Sequence, residues 1–365
     1  MASSIEISDR ILINRFYNLL YNEYDEYRDI FKEIGIDSEI RAGEIGDEQV
    51  ENINEWIKKL YSNHVQDDER IKLIELFERF RKISDKDDEF NNQLEIVKEL
   101  YELIIGVIAT RRVDYYLKRF NREVFDYFCK TQEYALKIGT FRRDNIIHQL
   151  RVFLLGCYIL YEDKEFWRKR FQDDIRATIN GEKVIEFVGT KIEDINIEFK
   201  EVLIAWMIAS LFHDFGRSIE DVNKAIEDIN DTYELNLSGL ENWELPHVGY
   251  INSEKRKKLI TFFEKYAGDG HIPIYIGKMA RDFNHGPMSL LSCSFDETMD
   301  PKSVDIDAFL AELNYSVFPL LIESYIAIAL HSNLKCIFTT SLTQFLILCD
   351  ELQEWNRVTA IGDQN

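Results

Sequence analysis

The chain has 365 residues, a formal net charge of −22, 45% hydrophobic residues and 30% charged residues. That balance is globular rather than disordered, and so acidic a surface disfavours general nucleic-acid binding. With only 5 prolines and 16 glycines to interrupt it, the sequence is expected to form a mostly α-helical protein with a substantial core.

Residues 1–135 are strongly charged and helical in period. In ILINRFYNLLYNEYDEYRDIF, VENINEWIKKLY and DERIKLIELFERFRKI, apolar residues recur at spacings of three and four. NNQLEIVKELYELIIGVIATRRVDYYLKRFNREVFDYF reads as one long helix or two in succession, with LYELIIGVIA its most buried part. GIDSEIRAGEIGDEQ (35–49) reads as a loop. The one histidine, His64 in the polar stretch SNHVQDDE, reads as surface. No ligand constellation occurs here, so this N-terminal helical region is expected to carry no chemistry. Its helices could support oligomerisation.

Residues 136–357 hold the other six histidines, and 358–365 read as a tail. RDNIIHQLRVFLLGCYILY (143–161) is apolar nearly all round, as a central helix would be. Asn180-Gly181 followed by EKVIEFVG (182–189) suggests a small β-hairpin insertion. The run VLIAWMIASLFHDFGR then ends in adjacent His213 and Asp214, with Gly216 expected to stop the helix as its C′ residue. Residues 220–283 read as irregular structure shaping a cleft. Three helices follow: one from NHGPMSLLSC, one over 316–331 and one over 341–357.

Five cysteines (Cys129, Cys157, Cys293, Cys336 and Cys349) are scattered without a C-x-x-C pair, which predicts reduced thiols and a cytoplasmic protein. MASSIEISDRILINRF lacks the apolar core of a signal peptide, and no run reaches about 18 apolar residues, so no membrane span is expected.

Six residues on separate apolar stretches stand out as metal ligands: His148, His213, Asp214, His285, His331 and Asp350. Asp350, in FLILCDELQEW, places a carboxylate in an otherwise apolar helix, where it needs a pair, hydrogen bonds or a metal. A carboxylate has two oxygens and can bridge two cations. Imidazoles and carboxylates mixed 4:2 suit two divalent transition-metal ions such as Fe, Mn or Zn. Two bridged ions can polarise a phosphoryl group and activate water. His247 and His271 fall between Asp214 and His285, and either could replace an assigned ligand. Arg217 follows the metal pair and could hold a phosphate; Arg151, one turn from His148, and Lys335 are further candidates for substrate binding.

The order H…HD…H…H…D, with HDFG, NHGPMSLL, AIALHSN and LILCDELQEW in succession, resembles the HD-domain metal-dependent phosphohydrolase superfamily over about 140–357. The resemblance implies an HD-domain-like helical bundle of the dinuclear type. His148, His213, Asp214 and Asp350 would hold one metal, while Asp214 would bridge to a second held by His285 and His331. The implied activity is hydrolysis of a phosphoester in a nucleotide or related phosphorylated metabolite by a metal-activated hydroxide, with Asp214 and Arg217 in the catalytic roles. No GYP signature of the cyclic-dinucleotide branch is present. Two other readings of the same ligands are a di-iron oxygenase and a non-catalytic nucleotide-sensing or interaction module.

Overall fold

A computed structural model describes residues 8–42, 45–62, 68–83, 90–108, 145–178, 197–234, 284–292, 319–332 and 340–355. The expected hairpin, the tail, and the residues His64, His247, His271 and Lys335 lie outside these. Among the described residues the chain is α-helical, with thirteen helices and no strand. None of those helices is long and apolar enough to cross a membrane.

The N-terminal region supplies α1 (Asp9–Glu23), α2 (Asp25–Ile34), α3 (Asp37–Ala42), α4 (Asp47–Ser62), α5 (Glu69–Ile83) and α6 (Phe90–Ile108). The periodic run 11–31 is two helices, broken where Tyr24 turns extended (φ −129°, ψ 109°). Asp25 and Glu26 then sit in the first turn of α2, where the helix dipole favours carboxylates. The segment expected to be a loop at 35–49 contains α3 and the start of α4; α3 lies on α1, and the buried Ile36 and Ile40 give that segment an apolar anchor. Asn18 on α1 also donates its amide to the Ile40 carbonyl at 2.5 Å.

The second region comprises α7 (Asn145–Glu162), α8 (Lys164–Thr178), α9 (Phe199–Phe212), α10 (Arg217–Tyr233), α11 (His285–Ser292), α12 (Pro319–Leu330) and α13 (Ser341–Trp355). Every residue of α9 from Val202 to Phe212 is buried, and α6, α7, α8, α12 and α13 pack around it. A helix apolar on all sides belongs at such a centre. Trp206 donates its indole N–H to the Phe153 carbonyl at 2.9 Å, locking α9 on α7. Gly156 makes that approach possible, since a Cβ there would lie 2.0 Å from the Trp206 ring.

Part of 220–283, expected to be irregular, is instead α10. Apolar residues at Ile219, Val222, Ile226 and Ile229 keep the helical period, and Ile226 is buried. Gly216 is corrected too. Its backbone is right-handed (φ −79°, ψ −4°), at the start of α10, so it is no left-handed C′ residue. It is small because α11 crosses it: an added Cβ would meet His285 O and Ser289 N at 2.5 Å. Its N–H donates to Ser289 Oγ at 2.7 Å, which brings the start of α11 against the His213–Asp214 turn.

The two regions share one core, in which α1 and α6 lie on α7, and α6 also reaches α9. Phe16 meets Phe153 edge-on at 5.5 Å between ring centroids. Arg151 pairs bidentately with Asp9 at 2.9 and 2.8 Å, so this candidate substrate contact is engaged in joining α7 to α1.

Candidate metal centre

All six candidate ligands converge on one buried spot. His148 and Asp350 project from the interiors of α7 and α13, His213 and Asp214 from the end of α9, His285 from the start of α11, and His331 from the end of α12. His148 Nε2 lies 2.6 Å from Asp350 Oδ1. His213 Nε2 is 3.6 Å from the same oxygen and 3.7 Å from Asp214 Oδ2. The other oxygen of Asp214, Oδ1, lies 3.5 Å from both His285 Nε2 and His331 Nε2. Tetrahedral ligands about 2.0 Å from an ion are about 3.3 Å apart, so most of these separations suit a shared cation.

Among the described residues, three overlapping sets have ligand atoms within 4.8 Å of one another: His148, His213 and Asp214; His213, His331 and Asp350; and Asp214, His285 and His331.

The imidazoles are oriented from behind. His213 Nδ1 lies 2.7 Å from the Ser210 carbonyl, and His331 Nδ1 lies 2.8 Å from the Ile328 carbonyl. A carbonyl only accepts, so both Nδ1 atoms carry hydrogen. Each ring therefore turns its Nε2 into the cluster. Both Nε2 atoms are buried without a hydrogen-bond partner. His285 is held differently: its Nδ1 donates to Glu220 Oε2, and its backbone N–H donates to the same oxygen at 3.2 Å. Lys224 steadies Glu220 through a 2.6 Å contact with Oε1. Outer partners of this kind are what a metal-binding histidine needs.

Charge in the cluster is unbalanced. Burial works against ionisation of Asp214 and Asp350, yet the facing imidazoles hold both carboxyls well below the usual range. Burial likewise opposes charge on His213, but Asp214 and Asp350 outweigh it and hold the imidazole protonated up to about 9. A proton thus stands where a stronger cation fits. Burial and the neighbouring imidazoles of His213 and His285 push His331 down, keeping it neutral. These orphaned nitrogens and ionised carboxylates form a donor set that can hold metal ions.

Arg217, at the head of α10, reaches the rim of this cluster. Its Nη1 is 3.1 Å from His285 Nδ1, 3.9 Å from Glu220 Oε2, and its buried Nε makes no hydrogen bond. Since the Nδ1 proton goes to Glu220, the contact with Arg217 is proximity and not a hydrogen bond.

Two contributors were not singled out from the sequence. Glu220 lies one turn beyond Arg217, and the i, i+3 spacing on an amphipathic helix was the available signal. Gln149, beside His148, is buried within hydrogen-bond distance of Tyr101 and the Asp214 backbone and gives none, because those partners are distant in sequence.

No family model, curated protein or solved structure matches this chain. Its function has to be read from the site.

Proposed function

We propose that the chain is a metal-dependent phosphohydrolase of HD-domain type, acting on a phosphoester of a nucleotide or related phosphorylated metabolite. One observation carries the reading: Asp214 turns Oδ2 toward His213 at 3.7 Å and Oδ1 toward His285 and His331 at 3.5 Å. A carboxylate divided in this way suits a bridge between two cations. His148, His213, Asp350 and Asp214 would hold one divalent ion, and Asp214, His285 and His331 the other. Bound there, Fe, Mn or Zn would supply Lewis acidity to a phosphoryl oxygen and activate water.

The rest falls to the chain itself. The Ser210 and Ile328 carbonyls and Glu220 keep three Nε2 atoms directed inward before any ion arrives. Arg217, 18% exposed at the rim, offers a guanidinium to a phosphate oxygen and to charge developing on it. A small anion neutralised by two ions is also easier to reconcile with a net charge of −22 than a long polyanion is.

The test is phosphate or alcohol release from a panel of nucleotides and a generic phosphodiester by metal-loaded protein, beside His331→Ala and Arg217→Ala. Turnover that depends on both residues supports the proposal. Oxygen uptake without phosphoester cleavage would point to a di-iron oxygenase. Tight metal retention with no turnover at all would point to a sensing module.

A further inference from the structure

We infer that Gln149 and Tyr101 are positioning residues for the metal-bearing turn, which makes the N-terminal helical region part of the centre's scaffold. The inference rests on the metal reading above. Gln149 follows His148 on α7 and is 1% exposed. With its amide nitrogen assigned to the side facing Tyr101 Oη at 2.9 Å and the Leu211 carbonyl at 3.1 Å, its oxygen accepts from the Asp214 N–H at 3.1 Å and from that of Phe215 at 3.3 Å. Only this orientation satisfies all four partners, because the carbonyl can only accept and the two N–H groups can only donate. The hydroxyl of Tyr101 fits as well. Its proton goes to the Ile146 carbonyl at 3.2 Å, leaving the oxygen to accept from Gln149.

The turn has a specific need for this amide. α9 ends at Phe212, and the Ser210 carbonyl, four residues before Asp214, accepts from His213 Nδ1. Beyond the helix end, Asp214 N–H and Leu211 O are buried groups that require partners. Gln149 offers an acceptor to one and a donor to the other, much as an inserted peptide unit would. It therefore fixes the backbone of the residue whose two carboxylate oxygens face both groups of imidazoles. A shift of that backbone would displace both sets of ligands together. Tyr101, on α6, stands two hydrogen bonds from Asp214, so a region without a metal ligand of its own among its described residues still bears on the centre.

The experiment uses the full chain with Gln149→Met, Tyr101→Phe and, as a control, Phe77→Leu in the N-terminal core. Affinity for Co(II) is measured by chelator competition, and hydrogen exchange at the Asp214 and Phe215 amides is measured in chelated protein. Loss of an outer partner weakens metal binding by about 10- to 100-fold, which is the expectation for Gln149→Met. Tyr101→Phe should show a smaller loss in the same direction, and both variants should exchange faster at the two amides. Phe77→Leu should lower the melting temperature while leaving affinity and exchange at the turn unchanged. Wild-type affinity in both test variants, or an equal loss in Phe77→Leu, would overturn the inference. If Gln149→Met does not fold, Tyr101→Phe decides alone. If the wild-type chain holds no divalent ion, the phosphohydrolase proposal fails and the exchange data judge the clamp: unchanged protection in Tyr101→Phe overturns it, and lost protection supports it.

Discussion

Two buried charged clusters, one in each region, answer the same problem in opposite ways. In the N-terminal region Glu78 is 1% exposed and is met by Arg81 at 3.2 Å and the Tyr17 hydroxyl at 3.0 Å. Arg81 in turn donates to Asn14 Oδ1 at 2.9 Å and lies over the Tyr17 ring. Burial pushes the Glu78 carboxyl up, and Arg81 pulls it back. This cluster brings its own cation. The other cluster has Asp214 and Asp350, and among the described residues neither pairs with lysine or arginine. Its counter-charges among those residues are imidazoles. An ion pair such as the first carries its own counter-charge, whereas the second leaves room for a cation from outside.

The contrast can be broken from either side. The largest effect is expected for Asp214→Ala, which should remove both ions and take turnover to background, as metal analysis and a phosphoester assay would show. The melting temperature should also fall, since a metal bound only by the folded chain adds stability. Arg81→Met should do the reverse. Removing one partner of a buried pair costs about 3 kcal/mol, readable by denaturant unfolding, while metal content stays at the wild-type level.

The ion-free centre should also be sensitive to pH. His213 titrates near 9 in the fold, above its ordinary value of 6.5. The stability it contributes is therefore complete below about 6.5 and disappears as pH rises through about 9, an effect of about 3 kcal/mol at most. Chelated protein should lose thermal stability over that window, and the metal-loaded form should lose much less. A flat profile for chelated protein would mean that His213 carries no such proton. The smallest effect is expected for Glu220→Gln. It keeps an acceptor for His285 but removes the charge, and should weaken one ion by about tenfold. Stepwise metal titration would show one ion affected and the other unchanged. Equal weakening of both would place Glu220 outside the second cluster.

How far the sequence could be read follows from what each feature depends on. Helices came through because their apolar periods are local, as in the run that became α5 and the nearly all-round apolar run that became α7. The convergence of the candidate ligands was legible for a similar reason: histidine or aspartate beside an apolar run is conspicuous without knowledge of the partner. The break at Tyr24 was not, since one extended residue leaves the pattern of spacings intact. Gly216 was misread because a helix-ending glycine and a glycine crossed by another helix look alike until α11 is in place. Residues 220–233 were passed over because their charge density hid an ordinary helical period. Glu220, Gln149 and Tyr101 act through segments 45 or more residues away, as in Tyr101 with Ile146. The neighbours that give them meaning exist only in the fold.

The central claim is that Asp214 bridges two ions, and counting ions tests it most directly. Chelated wild-type chain would be titrated with Co(II) beside His331→Ala and Asp214→Ala, with bound metal measured after desalting. The account predicts about two ions per chain for wild type, about one for His331→Ala and none for Asp214→Ala. A wild-type chain that retains no ion, or an Asp214→Ala chain that retains two, would contradict it.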